Sequence, residues 1–271
     1  MSHRILVTAT RLSERILGRP RLAKVARLVT NEVRRDAPND MTINGEQLVQ
    51  AAALKARDPV VLDVGGHFGE WSLSLLELSS KAPTLHVFEP SRVTAAQART
   101  NLGDRATVHE LGMSDHSGTA SLHIVHEGAG SNSVVPFSSH EREAAGVESI
   151  TLTTVDDFLS QQHIDRVTLL KIDAEGHDLA VMHGAGRTMA EHRVDMIQFE
   201  YNWRWVEARS FLLDAFTLCE EHGYRLGKIT PQGIETYDRW HYELESFREA
   251  NYLAYLPAMA SSFATIQWWG G

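Results

Sequence analysis

Between residues 60 and 257 short apolar runs alternate with helical patterns, and this alternation constrains the fold more than any other feature of the chain. VVLDVGG (60–66) reads as a strand and EWSLSLLELSS (70–80) as a helix. TLHVFEP, SRVTAAQARTNL and ATVHELGM continue as strand, helix and strand. VTLLKID (167–173) and VDMIQFEYN (194–202) are two more strands, separated by a helix that Gly184 and Gly186 close. The last third adds the helix EARSFLLDAFTLCEEHG, the strand YRLGKIT, a turn at Pro231-Gln232-Gly233 and a final strand in NYLAYLP. Apolar strands linked by helices predict an α/β fold, a mainly parallel sheet with helices on both faces. GTASLHIV reads as hairpin-like and EGAGSNSVVPFSSH as a loop. ITLTTVDDFLSQQ reads as a short strand and a helix begun by Thr154 or Asp156.

The turn after the first strand carries the sharpest local pattern. In VVLDVGGHFGEW, Asp63 is followed by Gly65, Gly66, His67, Phe68 and Gly69, and then by a helix. Such glycines let the backbone turn tightly and approach a ligand closely. The spacing is not that of a dinucleotide-binding G-x-G-x-x-G, and no Gly-Lys-Ser/Thr follows to make a phosphate loop. Asp63 would repel a pyrophosphate but suits an ammonium group. Glu89 ends the second strand, where a carboxylate can accept both ribose hydroxyls of an adenosine. A cationic, ribose-bearing cofactor without phosphates is S-adenosylmethionine.

Composition narrows the partners. The 26 Lys+Arg against 35 Asp+Glu give a net charge of −9, which argues against nucleic acid as the main partner. Residues 1–40 run the other way, at +5. There, RLSERILGRPRLAKVARLVTNEVRR (11–35) spaces apolar residues at helical intervals among arginines, with a break at Gly18-Arg19-Pro20. The expected organisation is a basic N-terminal helical extension over 1–50 and a catalytic domain over 51–271. The short, interrupted stripe favours an amphipathic cap packed on the domain or on a second subunit, and so a homo-oligomer through the N-terminal helices. The competing reading is a membrane-surface or polyanion-binding arm. Cys219 is the only cysteine and falls in a helical pattern, which fits a small buried hydrophobe and a reducing, cytoplasmic setting. No apolar run is long enough for a transmembrane segment, and the N-terminus lacks the apolar core of a signal peptide.

Taken together, DVGGHFG (63–69), VFEP (87–90), ITLTTVDDF (150–158), LLKIDAEGHDLAVMHGAG (169–186) and IQFE (197–200) resemble the FkbM-like family of class I S-adenosylmethionine-dependent methyltransferases. The likeness spans roughly residues 58–257. It implies a Rossmann-like seven-stranded sheet with one antiparallel strand, here NYLAYLP. It also implies that the 63–69 loop and Glu89 hold the cofactor, and that LGMSD, with Met113 and Ser114, flanks the adenine. Family members commonly methylate hydroxyl oxygens of sugars or natural products. The chain departs from the family pattern at Gly66-His67, where Ala-Asn is usual, and at His177-Asp178, where Ala-Glu is usual.

Methyl transfer to an alcohol is an in-line displacement that needs close positioning and benefits from a general base. Asp63, Glu89, Asp173 and Glu200 all fall at strand carboxyl ends, where this kind of sheet gathers its ligands. Asp173 is the first candidate base and Glu200 the second, with His177 and His140 as alternatives. Asp173, Glu200 and a histidine form a competing set for a divalent metal, although the spacing singles out no ligands. Lys171 shares a strand face with Asp173, as a substrate contact or as the structural partner of an acid. Glu175 stands either at the site or at a helix start. Asn202 and Trp203 are candidate contacts to a small-molecule or glycan acceptor, with Ser131, Asn132, Ser133 and the weaker patch Trp240, His241 and Tyr242 as further polar or aromatic surfaces. Two competing functions are a nicotinamide-dependent oxidoreductase and a non-catalytic binding protein that kept the fold.

Overall fold

The computed structural model describes residues 3–126, 128–136 and 145–270, which fall into two units, Met1–Pro38 and Asn39–Gly271. The first unit holds α1 (His3–Leu17) and α2 (Arg19–Arg34), and neither helix has a buried residue. Gly18 takes a positive φ of 77° between them and Pro20 sits in the first turn of α2, which is the break that the sequence predicts.

The boundary falls at 38 rather than at 50. The helix α3 (Glu46–Ala53) belongs to the second unit, where Val49, Ala52 and Ala53 pack against the sheet and Glu46 and Gln50 are buried with them. The dense run of basic residues ends at Arg35 and the next is Lys55, so charge marks the edge of the first unit better than helical pattern does.

In the second unit, β1 (Val60–Val64), α4 (Glu70–Leu78), β2 (Thr84–Phe88), α5 (Arg92–Leu102) and β3 (Thr107–His109) form the first parallel half of the main sheet. Three strands lie apart from it: β4 (Gly112–Met113), β5 (Gly118–Ile124) and β6 (Gly146–Thr153) make a small sheet in the order β4-β6-β5 around Leu122, Ile150 and Leu152. The expected hairpin-like stretch is thus one strand of a separate sheet. Then come α6 (Val155–Gln161), β7 (Val167–Ile172), α7 (Asp178–His183), α8 (Gly186–Ala190) and β8 (Val194–Tyr201). Thr154 caps α6 by accepting the Asp157 N–H at 2.9 Å. The chain ends with α9 (Arg204–Ala208), α10 (Leu212–Glu221), β9 (Arg225–Thr230), β10 (Gly233–Thr236), β11 (Ala250–Tyr255) and β12 (Thr265–Gln267).

The main sheet runs β12-β10-β9-β11-β8-β7-β1-β2-β3. Its strand β11, from NYLAYLP, lies antiparallel to both neighbours, as the resemblance implies. Among the described residues the sheet has nine strands rather than seven. The Pro231–Gly233 turn folds β10 back on β9, and β12 then pairs with β10. Strand β7 is buried at every position, which its unbroken apolar run requires of a central parallel strand. Alternate residues face two cores. Leu62, Val64, Leu170, Ile172, Ile197 and Phe199 point to one, and Val61, Leu169 and Met196 to the other. Cys219 is buried in the first, and burial pushes its thiol up to about 12.

Candidate active site

The glycine turn is shaped by close backbone contacts. Gly65 and Gly66 both donate their N–H groups to the Phe88 carbonyl, at 2.9 and 3.1 Å. Gly65 has φ +73°, and a Cβ there would overlap the Asp173 carbonyl oxygen, so no other residue fits without moving β7's end. His67, itself at φ +49°, donates its N–H to Glu89 at 3.1 Å and places Nε2 3.0 Å from the Gly128 carbonyl.

Above this turn lies a cavity lined by Gly65, His67, Phe88, Glu89, Leu111, Met113, Asn132, Ser133, Asp173 and His177. It is mostly apolar, and Glu89 is 8% exposed. Burial pushes the Glu89 carboxyl up to about 7 although the Ser91 and His67 N–H groups donate to it. Met113 lines the cavity, whereas Ser114 sits behind it with its hydroxyl 3.0 Å from His177 Nε2. Burial lowers the pKa of His177. Phe68 and Gly69 lie outside the lining; Phe68 packs on His67 with ring centroids 3.9 Å apart, and Gly69 begins α4 at φ +90°.

A second, wider cleft opens on the other side of Asp173. Its lining includes Glu46, Gln47, Gly66, Trp71, Lys171, Glu175 and Glu200, and it shares Gly65, His67, Gly130, Asp173 and Glu175 with the first. The carboxylates of Asp173, Glu175 and Glu200 come within 4.8 Å of one another. Among the described residues these three, rather than a set containing a histidine, are the group able to hold a divalent cation. Burial first, and then Asp173, Glu175, Asp178 and Glu249, raise the Glu200 pKa well above the carboxylate range.

Beneath the cleft runs a buried polar layer. Asp63 faces Lys171 across the β1–β7 register, and Lys171 faces Gln198 across β7–β8. The Lys171 ammonium lies 3.3 Å from Asp63 and 3.3 Å from Asp173. Burial opposes this charge, but Asp63, Asp173 and Glu46 outweigh it and raise the pKa of Lys171. Asp63 also accepts the Ser72 hydroxyl at 2.7 Å and lines neither cavity, so its carboxylate is held by the protein rather than presented to a ligand's ammonium. Glu46 reaches in from α3, accepting Gln198 at 2.6 Å, Asn44 at 2.7 Å and Asn251 at 3.2 Å. The sequence reading missed Glu46, Gln198 and Asn251. A polar residue on the Met196-Gln198-Glu200 face of an otherwise apolar strand was the available signal for one of them.

The turn from 173 to 178 is over-determined. Glu175 and Gly176 take successive positive φ values of 51° and 92°. The Asp178 carboxylate accepts the N–H groups of Ala174 at 3.3 Å and Gly176 at 3.1 Å. Arg204 and Ser133 both donate to the Glu175 carbonyl, at 3.1 and 2.8 Å. Burial and then Asp173 push Asp178 up to about 7. Asn202 donates to Glu200 at 2.5 Å and accepts the Arg204 N–H at 2.8 Å, so it aims Glu200 rather than facing an open acceptor site. Trp203, 40% exposed, stacks over the Arg204 guanidinium and lines neither cavity. Trp240 and His241 lie away from both, with His241 in a separate pocket beside Trp268. Ser133 and Asn132 face the apolar cavity instead of the acidic cleft. His140 lies outside the described residues.

Residues 63–226 match the methyltransferase FkbM domain, well over half of the chain. The chain belongs to the FkbM methyltransferase family. It is 30% identical over 163 residues to the 2-O-methyltransferase NoeI of Sinorhizobium fredii, covering 55% of this chain and 65% of that protein. Among solved structures it is similar to cofactor-bound Rv0187 from MTB, at 16% identity and a TM-score of 0.45 over 92% of this chain and 95% of that one. It is also similar to the precorrin-6y C5,15-methyltransferase of Geobacter metallireducens GS-15, at 13% identity and a TM-score of 0.41 over 77% and 86%. Within the FkbM pattern, this member's two departures now have a structural content. His67 braces Glu89 through its backbone, and Asp178 ties the 173–178 turn. Among the described residues no helix is long and apolar enough to cross a membrane.

Proposed function

We propose that this FkbM family member transfers a methyl group from S-adenosylmethionine to a hydroxyl of a sugar or natural-product acceptor. The observation that carries the reading is the pair of cavities meeting at Asp173, one mostly apolar around the buried Glu89, the other broad and acidic. The apolar cavity fits the cofactor: a Cβ would fill the cradle at Gly65, and Glu89 waits in a desolvated position suited to two ribose hydroxyls. When bound, S-adenosylmethionine supplies an electrophilic methyl on a sulfonium.

The protein's own residues then do three things. Glu89, braced by the His67 and Ser91 N–H groups, orients the nucleoside, and Phe88, Leu111 and Met113 exclude water around it. Glu46, Glu175 and Glu200 offer acceptor atoms for the hydroxyls of a polyol in the second cleft. Asp173 lines both cavities and accepts the proton that the attacking hydroxyl must lose. The name of the Sinorhizobium relative, a 2-O-methyltransferase, supports oxygen as the acceptor atom.

A thermal-shift panel tests the cofactor. Stabilisation by S-adenosylhomocysteine but not by NAD is the expected result, and the reverse would refute the reading in favour of an oxidoreductase. Incubation with labelled S-adenosylmethionine and a glycan and metabolite extract, followed by mass identification of the product, tests the acceptor. Binding without turnover across such an extract would point to a non-catalytic member.

A further inference from the structure

The helices α1 and α2 segregate two kinds of surface. In α1, Ile5, Ala9, Leu12 and Ile16 follow one another at three- and four-residue steps, which places them on one stripe. Arg4, Arg11 and Arg15 form a parallel stripe about 100° around the helix. In α2, Val25, Val29 and Val33 line up in the same way, with Lys24, Arg27 and Arg34 on other faces. None of these apolar residues is buried: Ile5 is 57% exposed, Leu12 58%, Ile16 73%, and Val29 58%. Residues 3–35 hold nine Lys/Arg against Glu14 and Glu32, while Asn39–Gly271 carries −15 of the overall −9.

We infer that α1 and α2 form a docking element for an anionic lipid surface. Nucleic acid would neutralise the arginines but leave the apolar stripes in water. A second copy would cover the stripes but bring two sets of like-charged arginines together. The headgroup layer of an anionic bilayer satisfies both: aliphatic side chains enter the acyl boundary and guanidinium groups meet lipid phosphates. The element lies on the bilayer rather than across it, since each helix spans only 15 or 16 residues and carries charges throughout.

Co-sedimentation of the full chain with vesicles tests this. The protein should pellet with phosphatidylcholine mixed with phosphatidylglycerol, remain soluble with phosphatidylcholine alone, and release as salt rises. Reversing Arg4→Glu, Arg11→Glu and Arg15→Glu together should weaken partition on the order of a hundredfold. The triple change Ile5→Ser, Leu12→Ser and Ile16→Ser should weaken it at least about tenfold. Because none of these side chains is buried, both variants should melt at the wild-type temperature, so lost partition reads as lost docking. Equal partition into neutral and anionic vesicles, or none into either, would overturn the inference. So would a serine variant that partitions like the wild type, which reduces the element to a polyanion contact. A sedimentation-equilibrium dimer that the serine variant dissociates would assign the stripes to a second copy instead.

Discussion

On one side of Asp173 the lining is Phe88, Leu111 and Met113 around the buried Glu89; on the other, Glu46 and Glu200 stand above Lys171, and Glu175 lines both sides. Both regions raise carboxylate pKa values, but by different physics. Glu89 is raised by the removal of water, against two backbone donors that pull it down. Glu200 is raised by burial and then by four neighbouring acids. A ligand with hydroxyl donors therefore changes Glu89 strongly by itself, whereas the acidic cleft responds as a group. A nearly dry acid such as Glu89 suits recognition of one fixed partner; a crowd of acids suits an acceptor with several hydroxyls.

The comparison breaks most decisively at the shared wall. Gly65→Val forces a branched side chain into the Asp173 carbonyl at a positive φ, and S-adenosylhomocysteine affinity by calorimetry should fall at least about a hundredfold. Unchanged affinity would remove the apolar cavity from cofactor binding. Asp173→Asn should separate the two regions, lowering turnover about a hundredfold or more while leaving cofactor affinity within a few-fold. Retained activity would take Asp173 out of proton transfer.

Glu89 offers a pH test with a definite sign. Its pKa in the free protein stands near 7, and the ionised form is the one that accepts two hydroxyls, so cofactor affinity should rise as pH increases through 7. Glu89→Gln should lower affinity about tenfold and flatten that rise. A slope that survives the substitution belongs to another group. The smallest effect is expected from Trp203→Ala, since that side chain lines neither cavity; kcat/KM should stay within about twofold. A larger loss would return Trp203 to the acceptor site.

Local patterns in the chain predict the parallel strands, the glycine turn and the strand-end positions of Glu89 and Asp173, because each strand's burial and each turn's glycines act within a few residues. What escapes that reading depends on partners far apart. Glu46 joins Gln198 across 152 positions, and Lys171 serves Asp63 because β1 and β7 happen to be register partners. Asn202, expected as an acceptor contact, has both ends of its amide taken by the backbone of α9 and the Glu200 carboxylate. The small sheet escaped because β4 is only two residues long and pairs with a strand about forty residues later.

Cys219 has a practical consequence. Its thiol is buried and held up to about 12, so at neutral pH almost no thiolate is present and reagents cannot reach it. The chain therefore behaves toward maleimides as if it had no cysteine. A single cysteine introduced at an exposed position, such as Ile16 or Val147, would take up a fluorophore or spin label alone, with the native residue left in place as part of the core.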